Sequence, residues 1–220
     1  MGFWAKRVLP FLVERACRST TILAERKRWI PRAHGAVLEL GIGSGLNLAF
    51  YDPERVTSVT GIDPSAPLLA RARARIESVP VELVRASGEQ LPFAAARFDS
   101  AVVTYALCSV DDPVAVLAEV RRVLKPNGEL FFVEHGLAHD VRTQHWQHRI
   151  TPAWRRIAGN CHLDRDMARI LLDAGFHSDD LHAGYTDGAK VLSFTYEGSA
   201  RPVQPSHSQR RVSNAPLGIE

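Results

Sequence analysis

Short apolar runs alternate with segments of helical periodicity along most of the chain. Unbroken apolar runs are typical of strands that are buried on both faces of a parallel sheet. The predicted strands are 37–40, 56–62, 81–84, 98–103 and 129–134. The predicted helices are 66–77, 112–124 and 164–174. This alternation predicts an α/β fold in which a doubly wound, mostly parallel sheet carries helices on both faces.

The end of the chain departs from that alternation. Two late segments, one near Leu181 and one at 190–196, predict an antiparallel pair at the C-terminal edge of the sheet. Residues 198–220 contain three prolines and many serines and arginines, which predicts disorder. We therefore expect one domain at 36–197, followed by a disordered tail at 198–220.

Residues 1–35 form a basic segment before the first predicted strand. Eight lysine and arginine residues face two glutamates there, and apolar residues recur at helical spacing. One interpretation is an amphipathic segment that touches a membrane or an acidic substrate. The other is a helical cap that packs on the domain and covers a ligand site. The apolar stripe is short for stable membrane binding, which favours the cap.

Composition excludes several classes of protein. A net charge of +3 gives no reason to expect a nucleic-acid partner, and the three cysteines are too far apart to predict a disulfide framework or a metal site. The chain has no apolar run of about 18 residues, and we expect no transmembrane helix and no signal peptide. We expect a cytoplasmic monomer or homodimer with at most peripheral membrane contact through 1–35.

A glycine-rich turn follows the first predicted strand. Gly41, Gly43 and Gly45 allow the chain to turn tightly and bring bare backbone against a ligand. Asp63 ends the second predicted strand, and its carboxylate can accept both hydroxyl groups of a ribose beside that turn. Glu39 precedes the glycines and suits an ammonium group. The pattern therefore predicts a nucleoside site at the carboxyl edge of the sheet.

Two nucleoside ligands fit this position. A dinucleotide fingerprint needs a third glycine one residue later, where this chain has Leu46. Glu39 would also repel a pyrophosphate. A nucleoside that carries a cationic amino acid, S-adenosyl-L-methionine, agrees better with both observations, so the sequence favours methyl transfer over hydride transfer.

Four motifs resemble those of the class I methyltransferases, which use S-adenosyl-L-methionine on a Rossmann-like fold. Residues 39–45 resemble motif I and 61–65 resemble motif II. Residues 88–93 with Phe98-Asp99, together with 122–128, resemble the pattern of quinone C-methyltransferases. The cofactor site implied by this resemblance consists of Glu39, Gly41, Gly43, Gly45, Asn47, Asp63, Pro64, Ser87, Gly88, Glu89, Thr104 and Tyr105. Ser87 replaces an aspartate that accepts the adenine amino group in such relatives, and its hydroxyl can still accept.

A narrower resemblance indicates the acceptor. Residues 107–110, Glu134-His135, 146–154 and 161–165 are similar to the methyltransferase-like thiol methyltransferases of animal membranes and their bacterial relatives. This resemblance implies a small hydrophobic acceptor with a thiol sulfur. Phospholipid (ethanolamine) N-methylation and quinone-type C-methylation are the enzymatic alternatives, and a nucleoside-binding regulatory module is the non-enzymatic one.

His135 is the candidate catalytic residue. It follows the fifth predicted strand, near the expected methyl group, and histidine has an intrinsic pKa that suits a general base. The alternative is a structural histidine. A thiol, with a pKa of about 8.5, needs less help from a base than an amine at about 10. Cys108, Trp146 and His162 are expected to line the substrate pocket, with Cys108 as a wall residue rather than a nucleophile.

Overall fold

A seven-stranded sheet forms the centre of the protein in a computed structural model that describes residues 19–203. The strands are β1 Gly35–Leu40, β2 Val56–Ile62, β3 Val81–Val84, β4 Phe98–Thr104, β5 Leu124–His135, β6 Phe176–Tyr185 and β7 Phe194–Pro202. Their order in the sheet is β3-β2-β1-β4-β5-β7-β6. The helices are α1 Thr20–Trp29, α2 Ala66–Arg73, α3 Pro113–Val123, α4 Val141–Ile157 and α5 Met167–Asp173. The predicted doubly wound fold is confirmed.

The five parallel strands bring their carboxyl ends to one edge of the sheet. In β1, Leu38 pairs with Thr60 of β2 on one side and with Ala101 of β4 on the other. Both faces of this centre are buried, which explains why β1 and β4 appear in the sequence as unbroken apolar runs. In an open α/β sheet, ligands bind outside this edge.

The antiparallel edge is longer than predicted. β7 pairs with both β5 and β6, so the expected edge pair is present, but 190–192 forms a short 3₁₀ helix outside it. The strand runs on to Pro202, so the prediction of disorder from 198 onward is wrong for 198–202. Small residues allow this part of β7 to pack closely: Ala200 is buried, and a Cβ atom on Gly198 would lie 2.2 Å from the Asp180 carbonyl oxygen. The rest of the predicted tail lies outside the described residues.

The sequence analysis makes no prediction for 140–160, and most of this segment forms α4, the longest helix within residues 19–203. Asp140 caps it by accepting a hydrogen bond from the backbone amide of Thr143 at 2.9 Å. Pro152 inside the helix weakens its sequence signal. In contrast, α2 ends at Arg73, earlier than the predicted residue 77.

The N-terminal helix α1 packs on the domain. Trp29 is buried, and its indole nitrogen donates a hydrogen bond of 3.0 Å to Glu197 on β7. Arg28 forms an ion pair with the same carboxylate. This part of the basic segment therefore lies against the sheet, as the cap interpretation expects, while residues 1–18 lie outside the described range. No helix within 19–203 has the length and apolar character needed to cross a membrane.

Candidate active site

A cavity of about 580 Å³ opens at the carboxyl ends of β1, β2 and β4. Its size is in the ordinary range for a small-molecule site. Nine of the sequence-predicted residues line it: Gly41, Gly43, Asp63, Pro64, Ser87, Gly88, Glu89, Thr104 and Tyr105. The sequence therefore identified most of one wall, although several predicted residues lie elsewhere.

The glycine turn has a backbone that other residues rarely adopt. Gly41, Gly43 and Gly45 have φ angles of 68°, 55° and 79°, in the left-handed region. A Cβ atom on Gly45 would lie 2.9 Å from Leu48 and 3.1 Å from the backbone of Ala72. Gly45 does not line the cavity, so its part is to allow close packing behind the turn.

Asp63 is fixed at the wall by two backbone amides. Its Oδ2 accepts a hydrogen bond from Gly43 at 3.1 Å, and its Oδ1 accepts one from Ser65 at 2.7 Å. The side chain is buried, and this burial raises the pKa of its carboxyl group, while the two amides act in the opposite direction. Each carboxylate oxygen keeps a second lone pair, so both hydroxyl groups of a ribose can be accepted here.

Glu39 and Asn47 lie behind the cavity wall. The Glu39 carboxylate accepts hydrogen bonds from Asn47 Nδ2 at 2.9 Å and from the Tyr51 hydroxyl at 2.8 Å. Burial raises the pKa of Glu39 to about 7. Glu39 and Asn47 do not line the cavity, and their direct contact with the ligand stays a prediction. They support the residue that stands in front of them.

That residue is Arg26, which the sequence analysis missed. It reaches the cavity from α1, is 4% exposed, and donates hydrogen bonds to Asn47 Oδ1 and, at 3.3 Å, to Thr104 Oγ1. Its Nε has no hydrogen-bond partner within the described part of the chain. Arg26 stands in a run of charged residues at 25–28, where nothing in the sequence distinguishes a buried arginine from a solvated one.

Ser87, Gly88 and Glu89, in the loop after β3, form the other end of the cavity. The Ser87 hydroxyl donates a hydrogen bond to the Glu89 carboxylate, which leaves its own oxygen able to accept. A Cβ atom on Gly88 would lie 3.1 Å from Leu40 and 3.2 Å from Val116, so glycine allows the loop to pass close to the core. A hydroxyl and a carboxylate at this end suit the amino group of an adenine.

Tyr105 follows β4 with a φ angle of 54°, which is uncommon for a residue other than glycine. Glu134 of β5 holds the turn after it. The Glu134 carboxylate accepts hydrogen bonds from the backbone amides of Ala106, Leu107 and Cys108, at 2.7, 2.8 and 3.1 Å. Burial raises the pKa of Glu134 to about 7 despite these amides. A carboxylate directly after the apolar run 130–133 was the sequence signal that could have indicated this role.

His135 does not line the cavity but packs against Tyr105, which does. The centroids of the two rings are 4.7 Å apart. Burial lowers the pKa of His135 to about 4, and a hydrogen bond with the backbone of Phe194 offsets only part of this effect. Burial therefore makes His135 a weaker base than the ordinary histidine expected from the sequence, and its catalytic role stays a prediction. Its Nδ1 is buried and has no partner among residues 19–203.

The three residues predicted for the substrate pocket do not line the cavity. Cys108 is 2% exposed and belongs to the hydrophobic core, because the Glu134 hydrogen bonds turn its side chain inward. Trp146 lies on the outer face of α4 and is 50% exposed. The His162 amide donates to the Cys108 carbonyl at 2.7 Å, and its ring lies 3.8 Å from Asp164. Their assignment to a substrate pocket stays a prediction.

The cavity fits a nucleoside joined to an amino acid. It offers a carboxylate and a hydroxyl at the end formed by the loop after β3, a ribose acceptor at Asp63, and a buried cation at Arg26. Arg26 forms no ion pair with a carboxylate within residues 19–203, so its charge suits an anionic group of the ligand. No group of three or more potential metal-binding side chains is found within residues 19–203.

Sequence comparison supports this assignment. The model of the methyltransferase domain family matches residues 38–132. Human thiol S-methyltransferase TMT1A is 32% identical over 195 residues, which cover 80% of this chain and 79% of that protein. Rat thiol S-methyltransferase TMT1B is 38% identical over 146 residues, or 64% of this chain, and the match spans only 59% of its length. A phosphatidylethanolamine N-methyltransferase of Cereibacter sphaeroides is 39% identical over 105 residues, covering 46% of this chain and 51% of that protein.

Solved structures share the fold. A Haloferax volcanii putative methyltransferase, solved in complex with the Trm112 methyltransferase activator, has a TM-score of 0.69 at 21% identity, covering 93% of this chain and 96% of that one. A putative methyltransferase of Bacillus halodurans C-125 has a TM-score of 0.65 at 19% identity, covering 89% and 99%. The glycine turn, Asp63, the sheet order and these similarities agree: the chain belongs to the class I S-adenosyl-L-methionine-dependent methyltransferases and is an enzyme of that family.

Proposed function

We propose that this methyltransferase transfers the methyl group to the sulfur atom of a small hydrophobic thiol. Two observations support the proposal. The relatives TMT1A and TMT1B are named thiol S-methyltransferases. The ring of His135 packs 4.7 Å from the ring of Tyr105, which lines the cavity, and burial lowers the pKa of His135 to about 4. This second observation is the one on which the choice of acceptor depends.

The chain's own residues bind and orient the two reactants. Bound S-adenosyl-L-methionine supplies an electrophilic methyl group on a sulfonium. Asp63 holds the ribose, the glycine turn allows close approach of the backbone, and Arg26 lies beyond them on the cavity wall. Tyr105 is fixed by its strained turn and by Glu134. Positioning and exclusion of water supply most of the rate enhancement in such an in-line displacement.

Proton transfer favours a thiol over an amine at this site. Moving a proton from a thiol with a pKa of about 8.5 to a group with a pKa of about 4 costs roughly 6 kcal/mol, at about 1.4 kcal/mol per unit. From an amine at about 10.4 the cost is roughly 9 kcal/mol. A thiol is already a few per cent thiolate near pH 7, so it can arrive as the nucleophile. In this proposal His135 positions Tyr105 instead of generating the thiolate.

The pH dependence of turnover tests this proposal. With a thiol acceptor, turnover of the wild-type enzyme between pH 6 and 9.5 should rise with the ionisation of that thiol and show no inflection near 6.5. Two thiols whose pKa values differ by about one unit should shift the curve by the same amount. An inflection near pH 6.5 with both thiols would instead indicate that His135 accepts the proton of the thiol.

A lipid amine is the second candidate, because a separate cavity lies beside Tyr105. This cavity, of about 410 Å³, is lined by Glu25, Asp187 and Glu197 among others, and Glu25 accepts a hydrogen bond from Tyr105. Carboxylates suit a cationic headgroup, and one relative is named a phosphatidylethanolamine N-methyltransferase. Arg28 neutralises Glu197, however, which weakens this candidate. Methylation of phosphatidylethanolamine vesicles, with no methylation of thiols, would establish it.

A further inference from the structure

Arg26 is a buried cation without an anionic partner among residues 19–203. Taking an isolated charge out of water is costly, so buried arginines are normally paired with carboxylates. Its two hydrogen-bond acceptors, Asn47 Oδ1 and Thr104 Oγ1, are both neutral. Within residues 19–203, no carboxylate forms an ion pair with Arg26. The Nε atom is buried and also has no partner among these residues, so a ligand meets the guanidinium group through the part of it that lines the cavity.

The nearest candidate anion of the chain itself is already occupied. Glu39 influences Arg26 electrostatically, but its two oxygens accept hydrogen bonds from Asn47 and Tyr51. Asn47 stands between them, since it donates to Glu39 and accepts from Arg26. This arrangement fixes the guanidinium group from behind and leaves its other side at the cavity wall.

The position of Arg26 along the cavity identifies the missing anion. Ser87 and Asp63 mark the adenine and ribose positions, so the amino-acid half of the cofactor extends toward Gly41 and Thr104, where Arg26 lies. The only anionic group in that half is a carboxylate, and guanidinium groups bind carboxylates through paired donors. We propose that Arg26 binds the carboxylate of S-adenosyl-L-methionine, so that α1 distinguishes the intact cofactor from nucleosides without the amino acid. The proposal rests on the cofactor and not on the identity of the acceptor.

Binding of truncated ligands tests the proposal without turnover. The ligands are S-adenosylhomocysteine, which has the amino acid, 5′-methylthioadenosine, which lacks it, and decarboxylated S-adenosylmethionine, which lacks only the carboxylate. In Arg26→Met, affinity for S-adenosylhomocysteine should fall by about 10- to 100-fold, as expected for a lost charged hydrogen bond. Affinity for the other two ligands should stay within about twofold of wild type.

Lys27→Met is the matched control, because it removes the same charge from the neighbouring, exposed position of α1. It should leave all three affinities unchanged. Melting curves without ligand provide a second readout. Arg26→Met should not melt below Lys27→Met, because it removes a buried charge with an unsatisfied donor.

If Arg26→Met lost affinity equally for all three ligands, the proposal would be overturned. An unchanged affinity of this variant for S-adenosylhomocysteine would overturn it too. If Arg26→Met melts at a lower temperature than Lys27→Met, ligand binding is measured with Arg26→Lys, because lysine keeps the positive charge and loses the paired donors of the guanidinium group. The proposal then requires the preference for S-adenosylhomocysteine over 5′-methylthioadenosine to fall by about tenfold. A preference equal to that of wild type would contradict it.

Discussion

The Tyr105 hydroxyl donates a hydrogen bond to the Glu25 carboxylate and so joins the end of β4 to α1. Glu25 is buried, and burial raises the pKa of its carboxyl group, whereas the Tyr105 hydrogen bond lowers it. The next residue, Arg26, lies on the cofactor cavity. Consecutive residues of α1 therefore face the two sides of the site, and the helix is part of the active site rather than a separate extension.

Tyr105→Phe should weaken this connection. It leaves a buried carboxylate without its hydroxyl partner, which should cost about 1–3 kcal/mol in the free energy of unfolding and lower turnover. Tyr196→Phe is the control, since the Tyr196 hydroxyl donates to the Leu137 carbonyl at 2.8 Å, away from the cofactor cavity. It should reduce stability but leave turnover near that of wild type. Equal turnover in the two variants would show that the Tyr105–Glu25 hydrogen bond has no role in catalysis.

Asp63→Ala should weaken cofactor binding sharply. Loss of a carboxylate that holds two hydroxyl groups should cost roughly 2–4 kcal/mol of binding free energy, which calorimetry can measure. Asp99→Ala is the matched control, because Asp99 also accepts a backbone amide, that of Ala36 at 2.9 Å, but at the opposite edge of the sheet. The affinity of Asp99→Ala for the cofactor should equal that of wild type. If Asp63→Ala binds like the control, Asp63 does not contact the ribose.

Glu134→Gln should loosen the turn that carries Tyr105. The side-chain nitrogen of glutamine cannot accept the hydrogen bonds that the backbone amides of 106–108 donate. At least one of these amides therefore loses its partner, at a cost of about 1–3 kcal/mol in the free energy of unfolding. Turnover should fall while cofactor affinity stays close to that of wild type. Glu129→Gln, on the same strand, should change neither quantity. A Glu134→Gln enzyme with normal turnover would mean that the turn keeps its shape without the carboxylate.

The stability of the protein should depend on pH through Glu39. Its pKa is about 7 in the fold and about 4.3 in an unfolded chain, so between these values the unfolded state binds fewer protons. The free energy of unfolding should therefore fall as pH rises from about 4.5 to 7, by on the order of 3 kcal/mol from this residue. Denaturant unfolding of wild type and Glu39→Gln at pH 4.5 and 8 measures the difference. Parallel curves would assign the pH dependence to other groups.

Local sequence patterns were sufficient to predict the parallel core and the cofactor wall. The apolar runs of β1 and β4, the glycine turn and Asp63 each follow from a short stretch of chain, because one strand and the loop after it determine them. The start of α3 followed in the same way, at Asp112, which accepts a hydrogen bond from the Ala115 amide at 2.9 Å.

Contacts between distant segments could not be predicted. Arg26 is recognisable only when α1 lies over β1 and β4, and the depressed pKa of His135 arises from burial that no local pattern encodes. Cys108 faces the core because Glu134, 26 residues further on, binds its backbone. Trp146 is exposed because α4 turns its other face, with the buried Gln147, toward the domain. Each of these outcomes depends on tertiary packing.

Product analysis with a mixed acceptor panel tests the choice of thiol most directly. Purified protein is incubated with S-adenosyl-L-methionine, a small hydrophobic thiol, the amine of the same carbon skeleton and phosphatidylethanolamine vesicles, and the products are read by mass spectrometry. Asp63→Ala serves as the control for enzyme-dependent methylation. We expect the methyl thioether to accumulate with an equal amount of S-adenosylhomocysteine, while the amine and the lipid stay unmodified. Methylated amine or lipid with an unmodified thiol would contradict thiol methylation and leave the fold and the cofactor site as described.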